Sequence, residues 1–92
     1  RKIEVVQLLT PPRLVLSFPE KDEIINEAVI VVRGISDAQA KIYINGDDPE
    51  QRDAENFTHK LSLKKGMNLI LVESVDQAGN VSFERRLISR KF

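Results

Sequence analysis

Short apolar runs with a two-residue rhythm recur along this chain. No stretch repeats its apolar positions at the three-to-four-residue spacing of an amphipathic helix. Gly, Pro, Asn and Asp divide the runs, the punctuation expected of short strands in a sandwich or barrel. The clearest alternation is Ala40–Asn45, with Ala40, Ile42 and Ile44 on one face and Lys41, Tyr43 and Asn45 on the other. That pattern predicts a half-buried strand. Asn45-Gly46 follows, a pair favoured where both turn residues need positive φ. Upstream, Leu14–Phe18 is ended by Pro19 and Ala28–Arg33 is closed by Gly34, and both are predicted strands. Glu20–Glu27 reads as a charged loop, Ile35–Gln39 as a turn, and Asp47–Asn56 as a polar loop with room for a short edge strand.

Downstream, Phe57–Leu63 places Phe57, Leu61 and Leu63 on one face. Lys64-Lys65-Gly66 turns the chain into Asn68–Val75, and Ala78-Gly79-Asn80 turns it into a last strand, Val81–Ile88. The expectation is an all-β sandwich or barrel of about seven antiparallel strands. Connections this short leave no room for a parallel crossover, which needs about a dozen residues or more.

Two strands are apolar on both faces. Ile30 and Val32 oppose Val29 and Val31, and Ile70 and Val72 oppose Leu69, Leu71 and Val75. Either long Lys and Arg stems cover the outer set, or it is a patch that meets a neighbouring domain or partner. Leu69, Leu71, Val75 and Tyr43 are the candidate contact residues.

The start of the chain stands apart. Ile3–Leu9 is extended and apolar, and Thr10-Pro11-Pro12 follows. Two prolines in series stiffen a joint in polyproline II geometry. Residues 1–10 therefore read as a lead-in strand, or as the end of a preceding repeat or linker, and residues 11–92 as the domain. Arg1-Lys2-Ile3 and Arg90-Lys91-Phe92 look alike, which suits the repeat reading.

Composition narrows the function. The 92 residues make one small domain. Fourteen basic residues balance fourteen acidic ones, which argues against a nucleic-acid partner. One tyrosine and no tryptophan leave little for stacking sugars or bases. Absence of cysteine favours a bacterial origin or a reducing compartment. No apolar run approaches the roughly eighteen residues of a membrane-spanning helix, so direct membrane insertion is not expected.

Candidate chemistry is sparse. His59 is the only histidine and falls on the Phe57/Leu61 face, a structural position before it is a pH-sensitive contact. There is no Cys nucleophile and no Gly-x-Ser-x-Gly setting. The acids lie on loops or strand exteriors rather than paired across a cleft. Asp47, Asp48, Glu50, Asp53 and Glu55 gather in one loop, but without the ligand spacing and central glycine of an EF-hand. Asp47 and Asp48 are weak metal candidates, and so are Asp76 and Asn80, whose first reading is as turn-stabilising side chains. No cofactor is called for. Arg85, Arg86, Arg90 and Lys91 gather near the C-terminus, with Lys64 and Lys65 in a turn, and read as protection of a sheet edge, with docking of a basic end onto an acidic flank as the alternative.

An ordered series now carries a resemblance. It runs Pro11-Pro12, Pro19, Val32-Arg33-Gly34, Ala40-Lys41-Ile42-Tyr43-Ile44-Asn45-Gly46, Phe57, Leu61, Leu63, Gly66, Asn68, Ile70, Val72, Asp76, Ala78-Gly79-Asn80 and Ser82. It resembles the bacterial immunoglobulin-like modules typified by domain B of glucodextranase. The chain departs from that pattern at Asn56, where the family has glycine before the aromatic residue. Asn also tolerates the left-handed region. The resemblance implies an all-β immunoglobulin-like β-sandwich of about seven antiparallel strands in two sheets, serving as a non-catalytic spacer or interaction module of a larger secreted, periplasmic or cell-surface bacterial protein, with neighbouring domains as partners. A module binding a protein or a cell-surface glycan, through Tyr43 and the 47–56 loop, is the alternative.

Overall fold

The alternation in the sequence becomes two stacked sheets in a computed structural model that describes residues 10–91. Residues 1–9, where the lead-in strand is expected, lie outside the described residues. The strands are β1 (Leu14–Phe18), β2 (Glu23–Ile24), β3 (Val29–Ser36), β4 (Lys41–Ile44), β5 (Gln51–Asp53), β6 (Asn56–Ser62), β7 (Gly66–Val75) and β8 (Val81–Arg90). The first sheet has the order β1-β3-β6-β5 and the second β2-β8-β7-β4. Three consecutive strands never share a sheet edge to edge, and the crossing connections give the Greek-key immunoglobulin-like arrangement.

The core is what strand parity requires. Leu16, Ile30, Val32, Phe57 and Leu63 from the first sheet meet Ile42, Ile44, Ile70, Val72 and Ile88 from the second, all buried. Ala40 is buried with Ile42 and Ile44, as the alternation predicts. Asn45 (φ 51°) and Gly46 (φ 86°) form the left-handed turn, closed by the Ile44–Asp47 bridge. The chain then crosses to the first sheet, where the short edge strand in the 47–56 loop is β5.

Four expectations are corrected. There are eight strands rather than about seven, because the loop Glu20–Glu27 contains β2. β2 runs parallel to β8, with Glu23 opposite Ile88 and Ile24 opposite Ser89, so the sandwich is not wholly antiparallel. No crossover within one sheet is needed: the chain leaves β1, passes the cis Phe18–Pro19 peptide and changes sheet. Gly34 does not end a strand, since β3 continues through Ile35 and Ser36. Lastly, the left-handed residue before Phe57 is Ala54 (φ 53°), and Asn56 already belongs to β6.

Gly34 is there for room. It faces Leu16 of β1 on one side and Phe57 of β6 on the other. A Cβ at this position would collide with the Val15 carbonyl and stand 2.6 Å from Phe57 Cζ. Phe57 is the largest fully buried side chain among the described residues, so its ring cannot yield without opening the core.

Buried polar groups join the sheets and their turns. Ser36 Oγ donates to the Arg13 carbonyl at 2.6 Å and thus accepts from Ser74 Oγ at 2.7 Å, a bond between β3 and β7 across the sandwich. Asn68 is 8% exposed. Its Oδ1 accepts from the Lys64 amide at 2.9 Å, and its Nδ2 donates toward the carbonyls of Lys64, Gly66 and Ile88.

Gly34→Ala is expected to lower unfolding free energy by about 1–3 kcal/mol through overpacking. Asn68→Ala is expected to lower it by about 1–3 kcal/mol, since turn groups are left unpaired. Asn68→Asp turns a carboxylate on those carbonyls and is expected to be at least as damaging at neutral pH. Urea denaturation of the three variants checks these values.

Candidate interaction surface

Parity places the outer face of the second sheet. With Asn68, Ile70, Val72 and Ser74 buried, the odd-numbered positions of β7 point away from the core. Leu69 is 51% exposed, and Leu71 and Val75 are half-buried. Tyr43 lies on the same face of β4, opposite Glu73. The structure thus brings Leu69, Leu71, Val75 and Tyr43 onto one surface.

The last strand enlarges it. β8 pairs with β7 over ten residues, setting Leu87 opposite Leu69, Arg85 opposite Leu71, Phe83 opposite Glu73 and Val81 opposite Val75. Phe83 is 63% exposed, and Val81, Leu87 and Met67 are exposed as well. The inward positions of the same strand carry Ser82, Glu84 and Arg86 before Ile88 is reached. β8 is therefore more apolar outside than inside. Its polar inner residues close the seam toward the first sheet: Ser82 Oγ donates to the Pro12 carbonyl, and Arg86 Nε to the Pro19 carbonyl at 3.0 Å. Arg86 also pairs with Glu84 at 3.0 Å.

Phe83, Leu87, Val81 and Met67 were not among the sequence candidates. Alternation alone puts the apolar set of β8 inward. Only the pairing with β7, with Ile88 opposite buried Asn68, shows that Ile88 and not Leu87 points to the core. The edge of β8 is covered over its C-terminal residues, while Arg85 and Arg86 lie outside its pairing with β2. β2 pairs along it, and Asp22 Oδ1 and Asn26 Oδ1 accept from the Leu87 and Lys91 amides at 2.8 Å. Arg90 turns back to donate to the Leu63 carbonyl at 2.8 Å.

The weak metal candidates fall apart into separate places. Asp47 and Asp48 are exposed at the turn after β4. Among the described residues no group of three or more His, Asp or Glu side chains converges. Asp76 faces into its own turn. Its Oδ1 accepts from the Ala78 and Asn80 amides at 3.0 and 2.8 Å, and its Oδ2 from Asn80 Nδ2 at 3.1 Å. Gly79 takes the left-handed position of that turn, with φ 88°. Desolvation pushes the Asp76 carboxyl up, but the Asn80 amide and side chain and the Ala78 and Gly79 amides together outweigh it and hold the pKa below the ordinary value. His59 is half-buried opposite Val32, with its Nδ1 enclosed and without a hydrogen-bond partner.

Three comparisons with known proteins bear on these features. The family described as glucodextranase, domain B, matches residues 12–92. No curated protein matches the chain. Among solved structures, the fibronectin(III)-like modules of Clostridium thermocellum CbhA are similar in fold, with a TM-score of 0.60 and 17% identity, over 86% of this chain and 96% of that one.

The Asp76 turn gives a pH test. A carboxyl with a lowered folded-state pKa contributes stability above its unfolded value (about 3.9) that is lost as the pH falls through the folded value. Acid titration of Asp76→Asn is expected to show a flatter loss of stability below pH ~4 than the parent chain, measured by thermal melts at successive pH values.

Proposed function

Because the chain belongs to the glucodextranase domain B family, we propose that it is a non-catalytic immunoglobulin-like module of a larger, extracellular bacterial protein, positioning the domains next to it. The observation that supports this reading is the outer face of the second sheet. Phe83, Leu87, Val81, Met67 and Leu69 stand in solvent on a surface continuous with Leu71, Val75 and Tyr43. Single exposed aliphatics are ordinary, but a contiguous set on a rigid sheet is the signature of a contact surface. Glu73, Arg85 and Lys41 lie among them and would fix the orientation of a partner more than the strength of its attachment. Tethered in one chain, a face of this size is enough, because the effective concentration of a linked neighbour is in the millimolar range.

A second reading rests on a depression of about 230 Å³ at one end of this face, formed by Gln39, Lys41, Tyr43, Val75, Asp76 and Gln77. Its amide groups and single aromatic ring suit a sugar. A glycan array read with the parent chain and with Tyr43→Ala separates the two readings, since the spacer reading expects no signal from either.

The decisive variant is Phe83→Asp. In the isolated chain it removes no core contact, so unfolding free energy is expected to change by no more than about 0.5 kcal/mol. In the full-length protein it is expected to split the unfolding of this module from that of its neighbour in differential scanning calorimetry. An unchanged profile would sink the reading.

A further inference from the structure

Among the described residues, β3 has an unpaired edge where β1 leaves it. β1 pairs with β3 only between Arg33 and Ser36, with a bulge between Leu16 and Phe18. The chain then turns at Pro19 toward the second sheet, while β3 runs on to Val29. On its other side β3 is paired with β6 along its whole length from Val29 to Ile35.

The direction of the main-chain groups on this edge follows from two bonds. The Leu63 amide donates to the Ala28 carbonyl, and the Ser36 amide to the Glu55 carbonyl, each at 2.8 Å. In an antiparallel ladder, bonded and non-bonded pairs alternate. The even-numbered residues of β3 therefore bond to β6, and the odd-numbered ones turn their N–H and C=O groups toward β1. Ile35 meets Val15 there. Val29 and Val31 face the place where β1 is no longer present. An open groove of about 620 Å³ occupies that place, lined by Ser17, Phe18, Val29, Val31, Glu27 and Arg33.

We infer that this groove is a site of strand addition for an extended peptide segment of a partner protein, which pairs antiparallel with Val29–Val31 and continues the line of β1. The chemistry selects the class of ligand. Two amide-and-carbonyl pairs at the spacing of alternate residues match an extended main chain, and a sugar has no such repeat. Phe18, Val29 and Val31 receive apolar side chains. Arg33 at one end of the outer row and Glu27 at the other set the polarity: an acidic residue near the N-terminus of the incoming strand and a basic one near its C-terminus. This surface lies on the sheet opposite Phe83 and Leu69, so it stands independently of the module's proposed contact face.

The test uses the whole 92-residue chain and synthetic, end-blocked heptapeptides of alternating valine and threonine. One carries a glutamate near its N-terminus and a lysine near its C-terminus; a second has the charges reversed; a third is the first with alternate amides N-methylated. Binding is read from chemical-shift changes and amide-exchange protection. The first peptide is expected to protect Val29 and Val31 at millimolar concentration and to bind roughly three- to five-fold more tightly than the reversed one. N-methylation is expected to abolish binding. Arg33→Glu is expected to remove or invert the charge preference. Val31→Pro removes the edge amide at a position where proline is tolerated, and is expected to lose binding while keeping a cooperative melt. Undiminished binding of the N-methylated peptide, shifts confined to Leu69 and Phe83, or no protection at Val29 and Val31 at several millimolar would each overturn the proposal.

Discussion

The ten-residue register between β7 and β8 is the constraint on which both the core and the exposed apolar face depend. Side chains in a strand alternate with a period of two, so a slip of one residue would exchange the two faces of β8 entirely. Phe83 and Leu87 would then turn inward and Glu84 and Arg86 outward, a pattern that hydrophobicity alone would favour. The observed register is held at both ends by polar side chains. Asn68 ties the turn before β7 to the end of β8, and Asp76 shapes the turn that begins it. Two small hydrogen-bonded clusters thus set the direction of the apolar groups between them.

The first sheet has a comparable point of control at Gly34. Three adjacent strands meet there, and the missing side chain is the space that Phe57 uses. Ser36, two residues further along β3, is linked to Ser74 of β7. The sheets are therefore joined by apolar packing and, near one end, by a directional bond between side chains of β3 and β7. In a chain without cysteine, that pair is a polar fastening between two strands of opposite sheets.

How legible the molecule was in its sequence varied by element. Ala40, Ile42 and Ile44 alternate so cleanly that strand, face and turn follow from local chemistry. The same holds for Asn45-Gly46 and for the Asp76–Asn80 turn. β2 could not be read, because two residues inside a charged loop carry no period, and its pairing with β8 comes from position in the fold. Gly34 was legible as a special residue but not as a mid-strand one, since its reason is a neighbour more than twenty positions away. The apolar outer residues of β7 were visible because that strand is apolar on both faces. Those of β8 were not, because a strand with one apolar face gives no local sign that this face points outward. Among the site candidates, Leu69, Leu71, Val75 and Tyr43 do fall together, whereas Asp47 and Asp48 lie apart from Asp76 and Asn80.

The parallel contact of β2 with β8 has a mechanical meaning. The chain enters the sandwich beside Ser82, where Pro12 is held, and leaves past Arg90 at the far end. A pull applied between these two points draws β2 and β8 in opposite directions along their common axis. Their connections, from Glu23–Ile88 and Ile24–Ser89 to Asp22–Leu87 and Asn26–Lys91, are then strained together in shear rather than opened one after another. Pulled in this way the sandwich resists extension as a unit, and its stiffness along the chain is set by the shortest strand it contains.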